Sequence, residues 1–142
     1  MNKIIRSAEK NDYDSIYVLL ENSLGYNTDR QELHSRLDTL NDGIYRTLVA
    51  EIDGKVVGFV GYCTLEAFEY SGGYIKILAL ATDVKYQKTG IGTALLGAVE
   101  HHARNNGIPV ITLNSGERRS DAHSFYEKRG YQKYSLGFKK LL

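Results

Sequence analysis

The stretch "ATDVKYQKTGIGTALLGAVEHHA", residues 81–103, decides the fold. An apolar strand runs into a short polar turn, after which Gly90 and Gly92 open an amphipathic helix. Glycine is among the weaker helix formers, so two of them at a helix head need a reason. A helix N-terminus presents backbone N–H groups without partners and the positive end of the helix dipole, which suits a phosphate or pyrophosphate. Glycines there remove side chains that would block an approaching ligand. The same two glycines can also do no more than shape a tight strand-to-helix turn. A dinucleotide fingerprint would put a third glycine where Leu95 stands and an acidic residue ~20 positions later, where this chain has the strand "VITL". A P-loop would put glycine where Thr82 and Gln87 sit. Neither nucleotide motif fits.

Outward from this segment, the chain has the size of one domain. Its 142 residues, 42% of them hydrophobic, suffice for a sizeable core without staples. No repeat, low-complexity tract or linker divides it, so residues 1–142 are expected to form a single domain. Eighteen basic and 17 acidic residues leave a formal charge of +1, without the basic excess of a nucleic-acid binder. The one cysteine, Cys63, excludes an internal disulfide and a multi-cysteine zinc site and fits a reducing compartment. The N-terminal "MNKIIRSAEKNDYD" has no signal-peptide core, and no run approaches the ~18 apolar residues of a membrane span. A cytoplasmic protein with neither nucleic acid nor membrane as partner is expected.

"KIIRSA" (3–8) reads as a first strand, and Asn11 or Asp12 can cap a helix that places Ile16, Leu19 and Leu20 on one face and stops at Gly25. A second helix begins at Thr28, with Gln31 at capping-box spacing, buries Leu33, Leu37 and Leu40, and ends at Gly43. "RTLVAEI" and "KVVGFVGYCTL" flank Asp53-Gly54, a strong hairpin signal. The turn "YSGG" (70–73) leads to "YIKILALAT" (74–82). The helix from about 90 to 105 should bury Ile91, Leu95, Ala98, Val99 and His102. The strand "VITLNS" (110–115), a Ser120-capped helix "DAHSFYEKR" closed by Gly130, and a final hairpin through Leu136-Gly137 complete the chain. The order is βααβββαβαββ, an α/β fold with a mixed sheet flanked by helices.

Gln87-x-x-Gly90-x-Gly92, directly after a strand and at the head of an amphipathic helix, resembles the acyl-CoA pyrophosphate loop of the GNAT N-acetyltransferase superfamily. The likeness continues through "LNSGERRSDAHSFYEKRGYQKY", which is similar to that family's C-terminal strand, Phe-Tyr-Glu helix and Gly-aromatic pair, and through the element order. "LGYNTDRQELHSRL" (24–37) resembles a branch of small bacterial-type members that includes relatives of aminoglycoside modifiers.

The resemblance implies acetyl-CoA as co-substrate and no metal. It places the backbone of Leu80, Ala81 and Thr82 along the pantetheine arm and gives Gln87, Lys88, Thr89, Gly90, Ile91, Gly92 and Thr93 the pyrophosphate. Asn114 and Arg119 fall where members often touch the cofactor, Arg119 standing in place of the usual asparagine. Tyr126 is implied as the general acid: attack of an amine on the thioester expels a thiolate, and a phenol of pKa near ~10 can protonate it. Phe125 beside it reads as core.

The general base is open. Some members carry a glutamate on the fourth strand, where this chain has Lys76, and no carboxylate occurs between Tyr74 and Thr82. Glu66 or Glu69, a water chain, or an acceptor arriving neutral could serve. His34, His101, His102 and His123 read as surface or packing residues, and Cys63 as a buried thiol rather than an acyl carrier. "LGYN" (24–27) and "EAFEY" (66–70) are expected to line the acceptor pocket, Tyr26, Phe68 and Tyr70 as walls and Glu66 and Glu69 as counter-charges for a small cationic amine. The implied activity is acetyl transfer to a primary amine of a small molecule, with a homodimer allowed. The alternatives are a non-catalytic acyl-CoA binder or sensor and an acetyltransferase acting on protein or peptide.

Overall fold

In a computed structural model of the chain, residues 2–115 and 120–142 are described. The chain divides into two compact units, residues 1–112 and residues 113–142.

The first unit is built on a sheet in the order β1-β2-β3-β4-β5. Strands β1 (Lys3–Ser7), β2 (Tyr45–Ile52), β3 (Lys55–Leu65) and β4 (Tyr74–Thr82) pair antiparallel with their neighbours, and β5 (Ile111–Leu113) follows at the edge. Asp53 and Gly54 both take positive φ, 50° and 83°, the backbone twist that joins two strands by a two-residue turn. Helices α1 (Tyr13–Leu24) and α2 (Arg30–Thr39) cover one face. There Ile16, Leu19, Leu33 and Leu37 pack with Val49, Phe59 and Ala81. Helix α3 (Ile91–Asn105) covers the other face, burying Ala103 together with Ile91, Leu95, Leu96 and Val99, the last four contributing about 1.5–3 kcal/mol each. Its approach is close because Gly58 lies beneath it. A Cβ on Gly58 would stand 2.9 Å from Ile91 Cγ2 and 3.2 Å from Leu95 Cδ1.

Several boundaries differ from the sequence expectation. Asp29, not Thr28, caps α2: its carboxylate accepts the Glu32 N–H at 3.0 Å, and an anion suits the positive helix end better than a hydroxyl. That helix ends at Leu40, and Gly43 serves the following turn with φ 59°. On α3 the buried stripe runs through Leu96 and Ala103, while Ala98 and His102 are half-buried. Asp12 stands at the head of α1 but does not cap it. Its carboxylate accepts two bonds from the Arg6 guanidinium, at 2.7 and 3.0 Å, and the Glu9 N–H at 2.7 Å.

That ion pair carries a prediction. Asp12 is buried, and the Arg6 hydrogen bonds hold its carboxyl below the ordinary 3.8. A carboxyl depressed in the folded state stabilises the fold above its unfolded pKa, and the contribution is lost as pH falls through the lower folded value. Asp12→Asn is expected to cost about 2 kcal/mol at neutral pH, the worth of hydrogen bonds to a charged group whose partner Arg6 is 30% exposed. The urea midpoints of variant and parent should converge as the pH is taken below 3.8.

The second unit holds α4 (Ser120–Lys128), followed by Gly130 at φ 89°. The last two strands of the expected order are absent, because residues 131–142 form no strand. Gly137 does not take positive φ, so the Leu136-Gly137 pair makes no two-residue hairpin turn, and Tyr134, Leu136 and Phe138 are exposed.

Candidate active site

The loop between β4 and α3 is assembled from local hydrogen bonds. Asp83 accepts the Lys85 N–H at 3.0 Å and so starts a single helical turn, residues Val84–Tyr86. The Thr89 hydroxyl donates to the Tyr86 carbonyl. Lys88 takes φ 63° and Gly90 φ 89°, so the chain reverses twice before α3 begins. The first helical bond runs from the Ala94 N–H to the Gly90 carbonyl at 3.0 Å, and no side chain caps the helix. The N–H groups of Ile91 and Gly92 precede any acceptor of their own helix. A Cβ built on Gly90 meets nothing within 4 Å, so the space in front of this positive helix end is open. Gln87, Lys88, Thr89, Gly90 and Thr93 are exposed, while the Ile91 side chain is core and has only its backbone to offer. These features fit a pyrophosphate: exposed donors, no side chain in the way and one nearby ammonium.

Upstream, Leu80, Ala81 and Thr82 pair with Val60, Phe59 and Gly58 of β3. The Ala81 side chain is buried, and Leu80 and Thr82 are half-buried. The Thr82 carbonyl is already taken, accepting the Ser23 hydroxyl at 3.0 Å, which ties the end of α1 to the end of β4. The Asp83 N–H donates to the Val57 carbonyl at 2.8 Å. Strand β5 meets β4 near its start, where the Ile75 N–H donates to the Val110 carbonyl at 2.9 Å and the Thr112 hydroxyl to the Ile75 carbonyl at 3.3 Å. β5 has three residues and is anchored there, and among the described residues no strand pairs with the far edge of β4 at Leu80 to Thr82. Between the two regions β4 carries a bulge: Gly61 faces Ala79 but Tyr62 faces Ile77, and Leu78 is the unpaired residue, 44% exposed. Nothing in "YIKILALAT" signals it, because a bulge is set by register between strands.

Tyr126 lies on α4 in the second unit, half-buried, with Phe125 edge-on at 5.2 Å and Tyr131 at 5.9 Å. Its carbonyl accepts the N–H groups of Arg129 and Tyr131. Phe125 is half-buried rather than core, with the Arg129 guanidinium 3.8 Å from its ring centroid. Asn114 is exposed, and Arg119 lies outside the described residues.

The expected acceptor residues are mostly on the surface. Phe68, Glu66 and Glu69 are exposed, Tyr26 is 55% exposed, and Tyr70 is half-buried against Tyr74, with ring centroids 6.3 Å apart. The histidines hold structural contacts: His34 with Asp14 at 3.0 Å, His101 with Asn105 at 2.9 Å, and His102 beside the Tyr62 ring at 5.7 Å. Burial pushes the Cys63 thiol up, against the pull of the nearby Lys76 charge. No helix among the described residues is long and apolar enough to cross a membrane, and no group of three or more metal-ligating side chains occurs among them.

The sequence profile of the Acetyltransferase (GNAT) family matches residues 4–131. An aminoalkylphosphonate N-acetyltransferase of Salmonella typhimurium is 31% identical, over 97% of this chain and 90% of its own length. A GNAT family acetyltransferase of Staphylococcus aureus superposes with TM-score 0.80 at 29% identity, over the full length of both chains. An aminoglycoside acetyltransferase from an uncultured soil metagenomic sample, solved with sisomicin, superposes with TM-score 0.82 at 21% identity, over 99% of this chain and 96% of its own, and shares the fold. A sheet bulged at β4, an uncapped glycine-headed α3 and relatives along nearly the whole sequence lead to one conclusion: the chain belongs to the GNAT family and is an acetyl-CoA-dependent N-acetyltransferase.

Proposed function

We propose that residues 1–142 work as one catalytic domain that moves acetyl from acetyl-CoA to the primary amine of a small molecule by direct attack. The match of the family profile across the boundary between the two units supports a single working domain. The observation that carries the reading is the open, uncapped head of α3, whose backbone donors suit the pyrophosphate. Gln87 to Thr93 hold the phosphates mainly through main-chain N–H groups, with Lys88 adding charge. The edge of β4 at Leu80 to Thr82, apart from the Thr82 carbonyl that Ser23 occupies, takes the amide-bearing arm like an added strand. Asn114 and Arg119 are assigned to the cofactor as well.

In the reaction a C–N bond forms at the acetyl carbon and the C–S bond breaks. Tyr126 gives its phenolic proton to the departing sulfur and regains through solvent the proton that the nitrogen sheds once the C–N bond has formed. The small-amine acceptor is supported by the full-length relative, which acts on aminoalkylphosphonates. Tyr26, Phe68 and Tyr70 wall the acceptor, Glu69 draws its ammonium, and Glu66 receives the proton through water.

A thiol-release assay with acetyl-CoA and a panel of small amines tests the proposal. Release that depends on the amine is expected. Cofactor binding without release for any amine would instead make the chain an acyl-CoA binder. Both carboxylates are exposed, so Glu66→Gln and Glu69→Gln are each expected to lower kcat/KM for a cationic amine by only about 2- to 5-fold. Parent values in both variants between about pH 6 and pH 9 would remove both from the acceptor site.

A further inference from the structure

Directly paired residues of neighbouring strands share a face of the sheet. On the face covered by α1 and α2, Val49, Phe59 and Ala81 form one row and Thr47, Gly61 and Ala79 the next. The third row is Tyr45, Cys63 and Lys76. Without the bulge Cys63 would face Ile77, so the extra residue Leu78 is what turns a lysine, rather than an isoleucine, onto this face. Lys76 is half-buried there, in one row with Cys63 and Tyr45, and among the described residues no carboxylate lies within ion-pair distance of it.

The adjoining row leaves room. A Cβ on Gly61 would meet only Thr47 Oγ1, at 3.9 Å, whereas on the opposite face Gly58 is pressed by α3. Gly61 therefore leaves space in the row next to that of Lys76, beside the bulge. A half-buried lysine with no carboxylate paired to it can take an anion that a ligand brings.

Resting on the acetyltransferase reading above, we propose that Lys76 determines acceptor specificity by binding an anionic group, phosphonate, phosphate or carboxylate, at the far end of the small amine. The acceptor is then zwitterionic, its amine turned to the thioester and its anion to Lys76. A lysine imposes no fork geometry, so the site selects charge before shape.

The test compares 2-aminoethylphosphonate with propylamine, its counterpart without the anionic group, in the parent chain, Lys76→Met and Lys76→Arg. Lys76→Met should raise KM for the phosphonate about 10- to 100-fold, the loss of a charge-assisted bond, and leave kcat and the KM for propylamine essentially unchanged. Lys76→Arg should keep most of the preference. An equal change for both amines, or none, overturns the proposal. Failure of the parent to acetylate either amine would count against the acetyltransferase reading, and Lys76 is then decided by titration with methylphosphonate. Amide shifts at Gly61, Cys63 and Lys76 that appear in the parent and vanish in Lys76→Met uphold the anion site. Shifts that are equal in both proteins, or absent from both, overturn it.

Discussion

Tyr126→Phe is expected to lower kcat by about 10²- to 10⁴-fold while leaving acetyl-CoA affinity nearly unchanged. The substitution removes one oxygen and keeps the ring. The edge-on contacts with Phe125 at 5.2 Å and Tyr131 at 5.9 Å persist, as do the bonds that the Tyr126 carbonyl accepts from Arg129 and Tyr131. The ring and the backbone of the helix thus keep these contacts, and the proton for the departing thiolate is lost. A thiolate leaving without that proton must wait for water, which raises the barrier of the C–S cleavage but not the cost of binding. A variant with parent kcat would make the hydroxyl structural, and a variant with raised Kd for acetyl-CoA would make it a binding group. Thioesters whose thiol is more acidic should suffer less from the substitution, since their thiolates need the proton least.

How much of this was legible in the sequence follows the range of the interactions involved. Asp53-Gly54 names its hairpin because two adjacent residues must both take positive φ, and nothing distant is needed. The head of α3 is legible for the same reason: the glycines, the polar turn before them and the apolar stripe after them lie within one contiguous segment. Its register is less so, since which residues are buried depends on how Gly58 lets Ile91 and Leu95 settle, and this shifts the stripe to Leu96 and Ala103. Asp12 shows the limit at short range. Its position fits a helix cap, yet Arg6 takes the carboxylate, and a salt bridge to a charged neighbour outweighs a cap of about 1 kcal/mol. The bulge at Leu78 is invisible altogether, because it exists only as a mismatch between β3 and β4. With it went the orientation of Lys76, which the sequence shows only as a residue standing where a carboxylate was sought. The Leu136-Gly137 pair signals a hairpin that does not form, because a two-residue hairpin turn needs positive φ, which Gly137 does not adopt.

Gly92→Val is expected to weaken acetyl-CoA binding by roughly 100-fold, about 2.7 kcal/mol, with the fold retained. Gly92 sits in the first turn of α3 and is half-buried, and its φ is not positive, so valine meets no backbone barrier there. Helix propensity argues the same way, since valine in a helix is no worse than glycine. The helix is moreover held by Ile91, Leu95, Leu96 and Val99, all buried, so a change at its first turn does not dislodge it. What the isopropyl group does is stand beside the N–H groups of Ile91 and Gly92, where the phosphate oxygens must come within hydrogen-bond distance. Gly92→Ala should fall between, since a single methyl excludes less. At Gly90 the order of effects differs. A Cβ there meets nothing within 4 Å, but φ is 89°, so Gly90→Ala should lower the thermal midpoint before it touches affinity. Calorimetric titration of acetyl-CoA, alongside thermal unfolding of the same three variants, separates the two causes. An unchanged Kd in a folded Gly92→Val protein would mean that the pyrophosphate binds elsewhere and that the two glycines serve only the turn.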